Sequence, residues 1–173
     1  WIENLIEPLN KENCVASVSD VELPVELWKT FDNTAKILSV KEQKIITPLL
    51  DEKGCAYKKS ALKRVRLFEE NKFRTAGEDF DIYIKLSKVG KIAYPHTKVM
   101  HYNYYSAKSR LRKELQLANG FGALVRIYGL KMPQWYVGLL KAIPILGWIL
   151  FFKGINFSKL KGLVLLAPFV FLL

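Results

Sequence analysis

Three carboxylates crowd into one short stretch of an otherwise basic chain. The stretch RTAGEDFDIYIKLSKVG carries Glu78, Asp79 and Asp81 directly after a glycine. Acidic residues at a helix start are ordinarily explained by the helix dipole, which stabilises each of them by ~0.3–1 kcal/mol. A preceding glycine also lets a loop approach closely, and an acid that faces a cleft there can accept a proton. The stretch therefore has two interpretations, a charged helix start and a catalytic base.

Further along the chain lie other residues with possible chemistry. His101 falls at the end of a strand-like segment, where a histidine is more often a hydrogen-bonding residue than a metal ligand. A basic cluster, Lys108 to Lys113, precedes an apolar segment and fits a helix on an anionic membrane surface. Arg110 or Arg112 could instead reach a diphosphate, and the sequence leaves both roles open. We interpret the basic run from 58 to 66 as a solvated helix face.

Composition limits the class of protein. The chain has 173 residues, half of them hydrophobic, which suits one domain or a domain with an appendage. Its net charge of +11 predicts attraction to an anionic partner. Two distant cysteines, Cys14 and Cys55, indicate a reducing compartment and neither a zinc site nor a disulfide framework. Because the chain starts at Trp1 and stops in an apolar run, we expect it to be a fragment of a longer protein.

Strands and helices are predicted to alternate over the first hundred residues. WIENLIEPL predicts a helix that ends near Glu7, and CVASVSDVELP predicts a strand. PVELWKTFDNTAKILSV is helical in pattern, and KIITPLL predicts a second strand. Ser60 is predicted to cap a helix through ALKRVRLF. A helix over Asp79–Val89 should then end in a left-handed turn at Gly90, with strands after it in KIAY and KVMHYNY. This order favours an α/β fold.

After Tyr105 the chain changes character. SAKSRLRKELQLANGFGALVRIYG is helical in pattern, with interruptions expected at Gly120 and Gly122. The apolar segment 135–152 contains an uncharged run shorter than the roughly 20 residues that cross a bilayer. We expect it to lie in the interface or to re-enter it, with a first true span near residue 160. The predicted divisions are an α/β part at 1–105, a basic interface helix at 106–131 and membrane-associated segments at 132–173.

One long stretch resembles a known enzyme family. GEDFDIYIKLSKVGKIAYPHTKVMHYNY is similar to the second half of the catalytic domain of family 2 glycosyltransferases, which have the GT-A fold. In that family a Gly-Glu-Asp motif opens a helix, a glycine and a strand come next, and a histidine ends the next strand. GCAYKKSAL resembles the family's glycine loop, and SRLRKELQLANGFGALVRIYG resembles its basic helix. WIENLIEPLNKENCVASVSD resembles the segment after its Asp-x-Asp metal motif, so the resemblance covers roughly residues 1–129.

The resemblance implies roles for particular residues. Asp79 matches the catalytic base and Glu78 its acidic neighbour, and His101 matches a histidine that ligates the metal on the donor diphosphate. Residues matching the loop near the acceptor and donor sugar are Gly54, Cys55 and Ala56. The implied metal is magnesium or manganese, with its main ligands before the first residue here. The chain would be an incomplete GT-A domain, Rossmann-like in class, with the acceptor-side half at 1–105 and interfacial or transmembrane helices at its C-terminal end.

The predicted function is transfer of a sugar, with inversion, from a nucleotide-sugar donor to a lipid-linked or glycan acceptor. The resemblance implies that the catalytic part lies on the cytoplasmic side of the cell membrane, and that this chain alone is inactive. The alternative is a non-enzymatic, basic, membrane-associated adaptor in which the Glu-Asp pair only stabilises a helix start. Nucleic acid is not an expected partner, because the aromatic residues do not interleave with the basic ones in a reader motif.

Overall fold

The computed structural model describes residues 1–39, 52–69, 71–73 and 76–132, with single positions between 136 and 149. In this part of the chain the helices are α1 (Ile2–Ile6), α2 (Val25–Lys29), α3 (Asn33–Ser39), α4 (Lys59–Arg64), α5 (Glu78–Ser87) and α6 (Ala107–Tyr128). The strands are β1 (Cys14–Val18), β2 (Asp20–Glu22), β3 (Cys55–Tyr57), β4 (Lys91–Ala93) and β5 (Lys98–Met100). Short 3-10 turns span Glu7–Asn10, Glu52–Gly54 and Gly129–Lys131.

Two small sheets meet at Ser19. Strand β1 is the centre of a sheet in which it pairs antiparallel with β3 and parallel with β4, while β2 pairs parallel with β5. The Ser19 N–H donates to the Gly54 carbonyl at 2.8 Å, and the Asp20 N–H donates to the Thr97 carbonyl at 2.7 Å. Because the backbone changes partners at this residue, the single strand predicted over CVASVSDVELP is in fact two strands.

The core lies mainly between β1 and the helices beside it. Every residue of β1 is buried, as expected for a strand covered on both faces. Ile82 and Leu86 of α5 are fully buried in the same cluster as Val15 and Val18. A second cluster joins α2 and α3 to Tyr105, and a third joins α5 to the C-terminal half of α6. The predicted α/β class is therefore confirmed at this level.

Helix α6 runs without a break for 22 residues. It begins with reciprocal hydrogen bonds between Ser106 and Ser109, a capping box that supplies partners for the helix start. The prediction that Gly120 and Gly122 interrupt this helix is wrong. A glycine inside a helix costs only about 1 kcal/mol relative to alanine, which tertiary packing readily offsets.

Two predicted helix boundaries also need correction. Ser60 lies inside α4, whose N-cap residue is Lys58 and has no side-chain cap. Gly90 does not adopt a left-handed conformation, and α5 ends instead at Ser87. A Cβ atom on Gly90 would lie 2.3 Å from Val15 Cγ1, so the glycine is needed because β1 passes close to it.

Part of the sequence prediction falls outside the described residues. The strand predicted in KIITPLL lies there, as do most of the apolar segment 135–152 and the span expected near residue 160. Within the described ranges, no helix is both long enough and apolar enough to cross a membrane.

Candidate active site at the start of helix α5

Two glycines hold the start of α5 in place. Gly77, the N-cap residue, has φ of +106°, a conformation that other residues rarely adopt. A Cβ atom there would lie 3.0 Å from the Gly120 carbonyl, and a Cβ atom on Gly120 would lie 2.4 Å from the Ala76 carbonyl. Helix α6 therefore packs directly against the backbone that enters α5. This contact fixes where the first turn of α5 presents its acidic side chains.

Asp81, the third acid, is part of the packing between helices. It is 2% exposed, its Oδ1 accepts a hydrogen bond from the Tyr128 hydroxyl, and its Oδ2 lies 2.6 Å from Lys85 Nζ. Burial, and then the hydrogen bond to Asp81, raise the pKa of the Tyr128 hydroxyl, so it stays protonated and donates beyond its usual titration range. Although Asp79 and Asp81 have Asp-x-Asp spacing, Asp81 is engaged in joining α5 to α6.

Glu78 and Asp79 occupy the first turn of α5 and are only partly buried. The first N–H groups of a helix have no partner within it, and the positive end of the dipole favours an ionised acid. Among the described residues, the buried Glu78 Oε2 has no hydrogen-bond partner. Buried carboxylate oxygens are normally hydrogen-bonded, so this atom can accept a bond from a donor that enters the site.

Asp32 caps two helices and gives a comparison for the acids at the start of α5. Its Oδ1 accepts a hydrogen bond from the Ala35 N–H at 2.8 Å, and its Oδ2 accepts one from the Ala107 N–H. One carboxylate thus joins the starts of α3 and α6. The N-cap position of α5 is a glycine without a side-chain cap. The helix-start interpretation of Glu78 and Asp79 therefore involves no side-chain cap at the N-cap residue and invokes the helix dipole.

The orientation of α5 places its start toward one end of the sheet. Its C-terminal end leads through Gly90, which packs against Val15, into β4. Lys91 at the start of β4 is the partner of Cys14 at the start of β1. Helix α5 therefore runs back along the sheet, and its first turn points toward the end where β1 and β4 finish. Ligands of open α/β sheets bind at that carboxyl end.

The glycine loop predicted from the resemblance lies at the same end. Gly54 closes a 3-10 turn, and a Cβ atom there would lie 1.9 Å from Ser19 Oγ. Cys55 and Ala56 begin β3, opposite Val18 and Ser17 of β1. Ser19 Oγ also donates to the Gly54 carbonyl at 2.9 Å. The loop needs a glycine because the backbone passes so close to Ser19.

His101 comes directly after β5. Its backbone N–H donates to the Glu22 carbonyl at 2.9 Å, which extends the pairing of β2 with β5 by one residue. Val99, two residues earlier, lies 3.5 Å from a Cβ atom placed on Gly54. Val99 and His101 are two residues apart, about 7 Å along the strand, so the structure places His101 just beyond the residue that faces Gly54.

The two arginines predicted to bind substrate point in different directions. Arg110 is 6% exposed, stacks over the Tyr105 ring at 5.1 Å and forms an ion pair with Glu114. Arg112 is exposed to solvent. Of the two, Arg112 has the accessible guanidinium, while Arg110 is engaged in packing at the start of α6.

Sequence reasoning missed the structural roles of Asp32 and Tyr128. Asp32 stands just before a helical pattern, and an Asp in that place is a recognised helix-start signal that could have identified it as the cap of α3. Tyr128 lies 47 residues from Asp81 and carries no local signal. Only the packing of α6 on α5 brings the two together.

The described residues contain no group of three His, Cys, Asp or Glu side chains arranged to hold a metal ion. Neither Cys14 nor Cys55 forms a disulfide. Comparison with protein-family models, with curated proteins and with solved structures finds no match to this chain.

Proposed function

We propose that this chain carries the acceptor half of a membrane-associated, inverting glycosyltransferase of the GT-A type. The observation that carries the proposal is the separation of the acidic cluster into two parts. Asp81 is buried and paired, whereas Glu78 and Asp79 stand in the first turn of α5 at the carboxyl end of the sheet. The resemblance in GEDFDIYIKLSKVGKIAYPHTKVMHYNY supports the same assignment.

In the proposed reaction Asp79 is the general base. Its carboxylate accepts the proton of the acceptor hydroxyl as that oxygen forms a bond to the anomeric carbon of the donor sugar. The bond from the anomeric carbon to phosphate breaks with inversion, and the nucleotide diphosphate leaves with the electron pair. Glu78 accepts a hydrogen bond from the acceptor and orients it. Gly54, Cys55 and Ala56 line the approach to the sugar.

A bound magnesium or manganese ion would hold the charge that develops on the leaving diphosphate. The described residues do not by themselves form a site for it, and His101 is the candidate ligand that this chain contributes. The role proposed for Asp79 is independent of that ion. In this proposal the donor-binding residues and the main metal ligands are not among the described residues.

The second candidate is a non-enzymatic membrane adaptor, favoured by the exposed basic surface of α6. In that case the acids at the start of α5 only stabilise the helix. The two candidates differ in their dependence on the carboxylate at residue 79. Sugar transfer needs it as a proton acceptor, whereas an adaptor does not.

Asp79→Asn in the full-length protein tests the proposal. Removing a general base typically lowers the rate by ~10²–10⁴-fold. We expect that loss in transfer of sugar from the nucleotide donor, with donor binding by calorimetry largely unchanged. Glu26→Gln on α2 is the matched control, since Glu26 is an exposed acid in the first turn of another helix. Near-normal turnover in Asp79→Asn would return the motif to the helix-start interpretation.

A further inference from the structure

Helix α6 exposes an apolar stripe that no described part of the chain covers. At about 100° per residue, Leu115, Ala118, Gly122 and Val125 succeed one another on a single face, with Phe121 beside them. All of these except Gly122 are exposed, Leu115 by 67% and Phe121 by 40%. A Cβ atom on Gly122 would have no neighbour within 4 Å among described atoms.

Exposed cations run along one edge of this stripe. Lys108, Arg112 and Arg126 are separated by four and fourteen residues, which places them on the same side of the helix. The exposed cations of α6 are therefore not the same set as the basic cluster predicted from sequence, Lys108 to Lys113. Arg110 turns inward to Glu114, while Arg126, near the C-terminal end of the stripe, joins the exposed set.

The charges on α6 are almost all of one sign. Within 107–131 the sequence has six Lys and Arg residues and a single acid, Glu114, which is paired with Arg110. An apolar stripe bordered by cations is the pattern of a helix that lies in the interface of an anionic bilayer. The stripe extends about 15 Å along the helix, and an anionic bilayer offers apolar chains and phosphates side by side over that whole length.

We infer that α6 lies along an anionic lipid bilayer, with the stripe Leu115–Ala118–Phe121–Gly122–Val125 in the interface and Lys108, Arg112 and Arg126 on lipid phosphates. Gly120, on the other side of α6, touches the backbone at Ala76 and Gly77. The acids at the start of α5 would then stay within about one helix diameter, ~10 Å, of the lipid surface. Resting on the proposed function, this favours an acceptor hydroxyl presented by a lipid-linked molecule.

Photo-crosslinking in the full-length protein tests the contact. A benzophenone amino acid replaces Phe121 or, in a second variant, Leu115, and the protein is reconstituted in vesicles of phosphatidylcholine mixed equally with phosphatidylglycerol. We expect lipid adducts at both positions, detected by mass spectrometry. Val25 on α2 is the matched control, because it is an apolar residue of similar exposure (46%) outside α6. Its adduct yield should be several-fold lower.

A charge variant tests the cation edge. Arg112→Gln combined with Arg126→Gln should lower the yield at position 121 several-fold in the mixed vesicles, since each cation near an anionic surface changes affinity roughly five-fold. The inference is overturned if positions 121 and 25 give equal lipid yields. It is also overturned if residue 121 crosslinks instead to a second copy or to the chain's own C-terminal segment.

The adduct does not depend on catalysis, so the two proposals can fail separately. Asp79→Asn should give the same lipid adduct as the unsubstituted protein. If the adduct forms while Asp79→Asn transfers sugar at a near-normal rate, the bilayer contact stands and the assignment of Asp79 as the general base falls. If Asp79→Asn abolishes transfer while no adduct forms at 115 or 121, the reverse holds.

Discussion

The first turn of α5 and the contact between α5 and α6 contain the same residue type in different surroundings. Asp81 is buried, hydrogen-bonded to Tyr128 and paired with Lys85. Asp79, two residues earlier, is only partly buried at the carboxyl end of the sheet. Successive helix positions differ by about 100°, so two residues apart means nearly opposite faces. One face is the helix–helix contact and the other faces the candidate site.

This difference shows that neighbouring acids in one short stretch can have different roles, one in helix packing and one in the proposed chemistry. A buried acid with two partners is held in one geometry and is inaccessible to substrate. An acid in the first turn meets the positive end of the helix and is here only partly buried. Asp32 completes the comparison, because it too stands at a helix start but accepts bonds from Ala35 and Ala107. The three aspartates therefore have three separate roles.

Replacing Asp81 should have the largest effect on stability. Asp81→Ala leaves the Tyr128 hydroxyl and the Lys85 ammonium without their partner, which we expect to lower the free energy of unfolding by about 2–3 kcal/mol. Asp79→Asn should change it by less than about 1 kcal/mol, because asparagine keeps the size of the side chain and loses only the charge that interacts with the helix dipole. Thermal unfolding of the full-length protein measures both. Equal losses in the two variants would remove the distinction between the faces.

The close approach of α6 to the start of α5 can be tested by a pair of glycines. In Gly120→Ala the new Cβ would meet the Ala76 carbonyl at 2.4 Å, so we expect a loss of about 1–3 kcal/mol in stability. Gly122→Ala is the matched control, two residues away in the same helix with no neighbour for the Cβ among described atoms. It should stabilise the protein by up to about 1 kcal/mol, since alanine favours helix. Urea unfolding measures whether each variant gains or loses stability. A loss of stability in Gly122→Ala would show that the face of α6 carrying Gly122 is covered.

Tyr128 gives the smallest and most pH-dependent effect. Tyr128→Phe removes one hydrogen bond, and we expect it to lower stability by about 0.5–1.5 kcal/mol near neutral pH. The folded-state pKa of Tyr128 is raised, first by burial and then by Asp81. Above the unfolded pKa of about 10, the unfolded chain therefore releases the proton first, and stability falls as pH rises.

The phenylalanine variant lacks this titration. Above about pH 10 the unsubstituted protein loses stability through Tyr128 and the variant does not. The difference in the free energy of unfolding between the two should therefore become smaller. Unfolding measurements across that pH range test whether the stability difference becomes smaller, with Tyr104→Phe as a control at an exposed tyrosine. A difference that stays constant with pH would place Tyr128 outside the buried contact.

The sequence by itself determined much of the local structure. The apolar spacing in DFDIYIKLSKV predicted α5 to within a few residues, and the glycine before the acids marked the entry to it. The alternation of strands and helices predicted the α/β class. These features depend on residues that are neighbours in the chain, so periodicity and turn chemistry reveal them. The transferase assignment also began in sequence, and it remains a proposal.

Only the tertiary structure decided which acids and cations are accessible. Asp81 and Arg110 look no different in sequence from Asp79 and Arg112, yet both are buried against partners. Gly120 was expected to break α6, but it instead lets that helix approach Ala76. Each outcome depends on a contact between segments far apart in the chain. Helix periodicity defines the faces of a helix, and only the packing of α6 against α5 determines which face is covered.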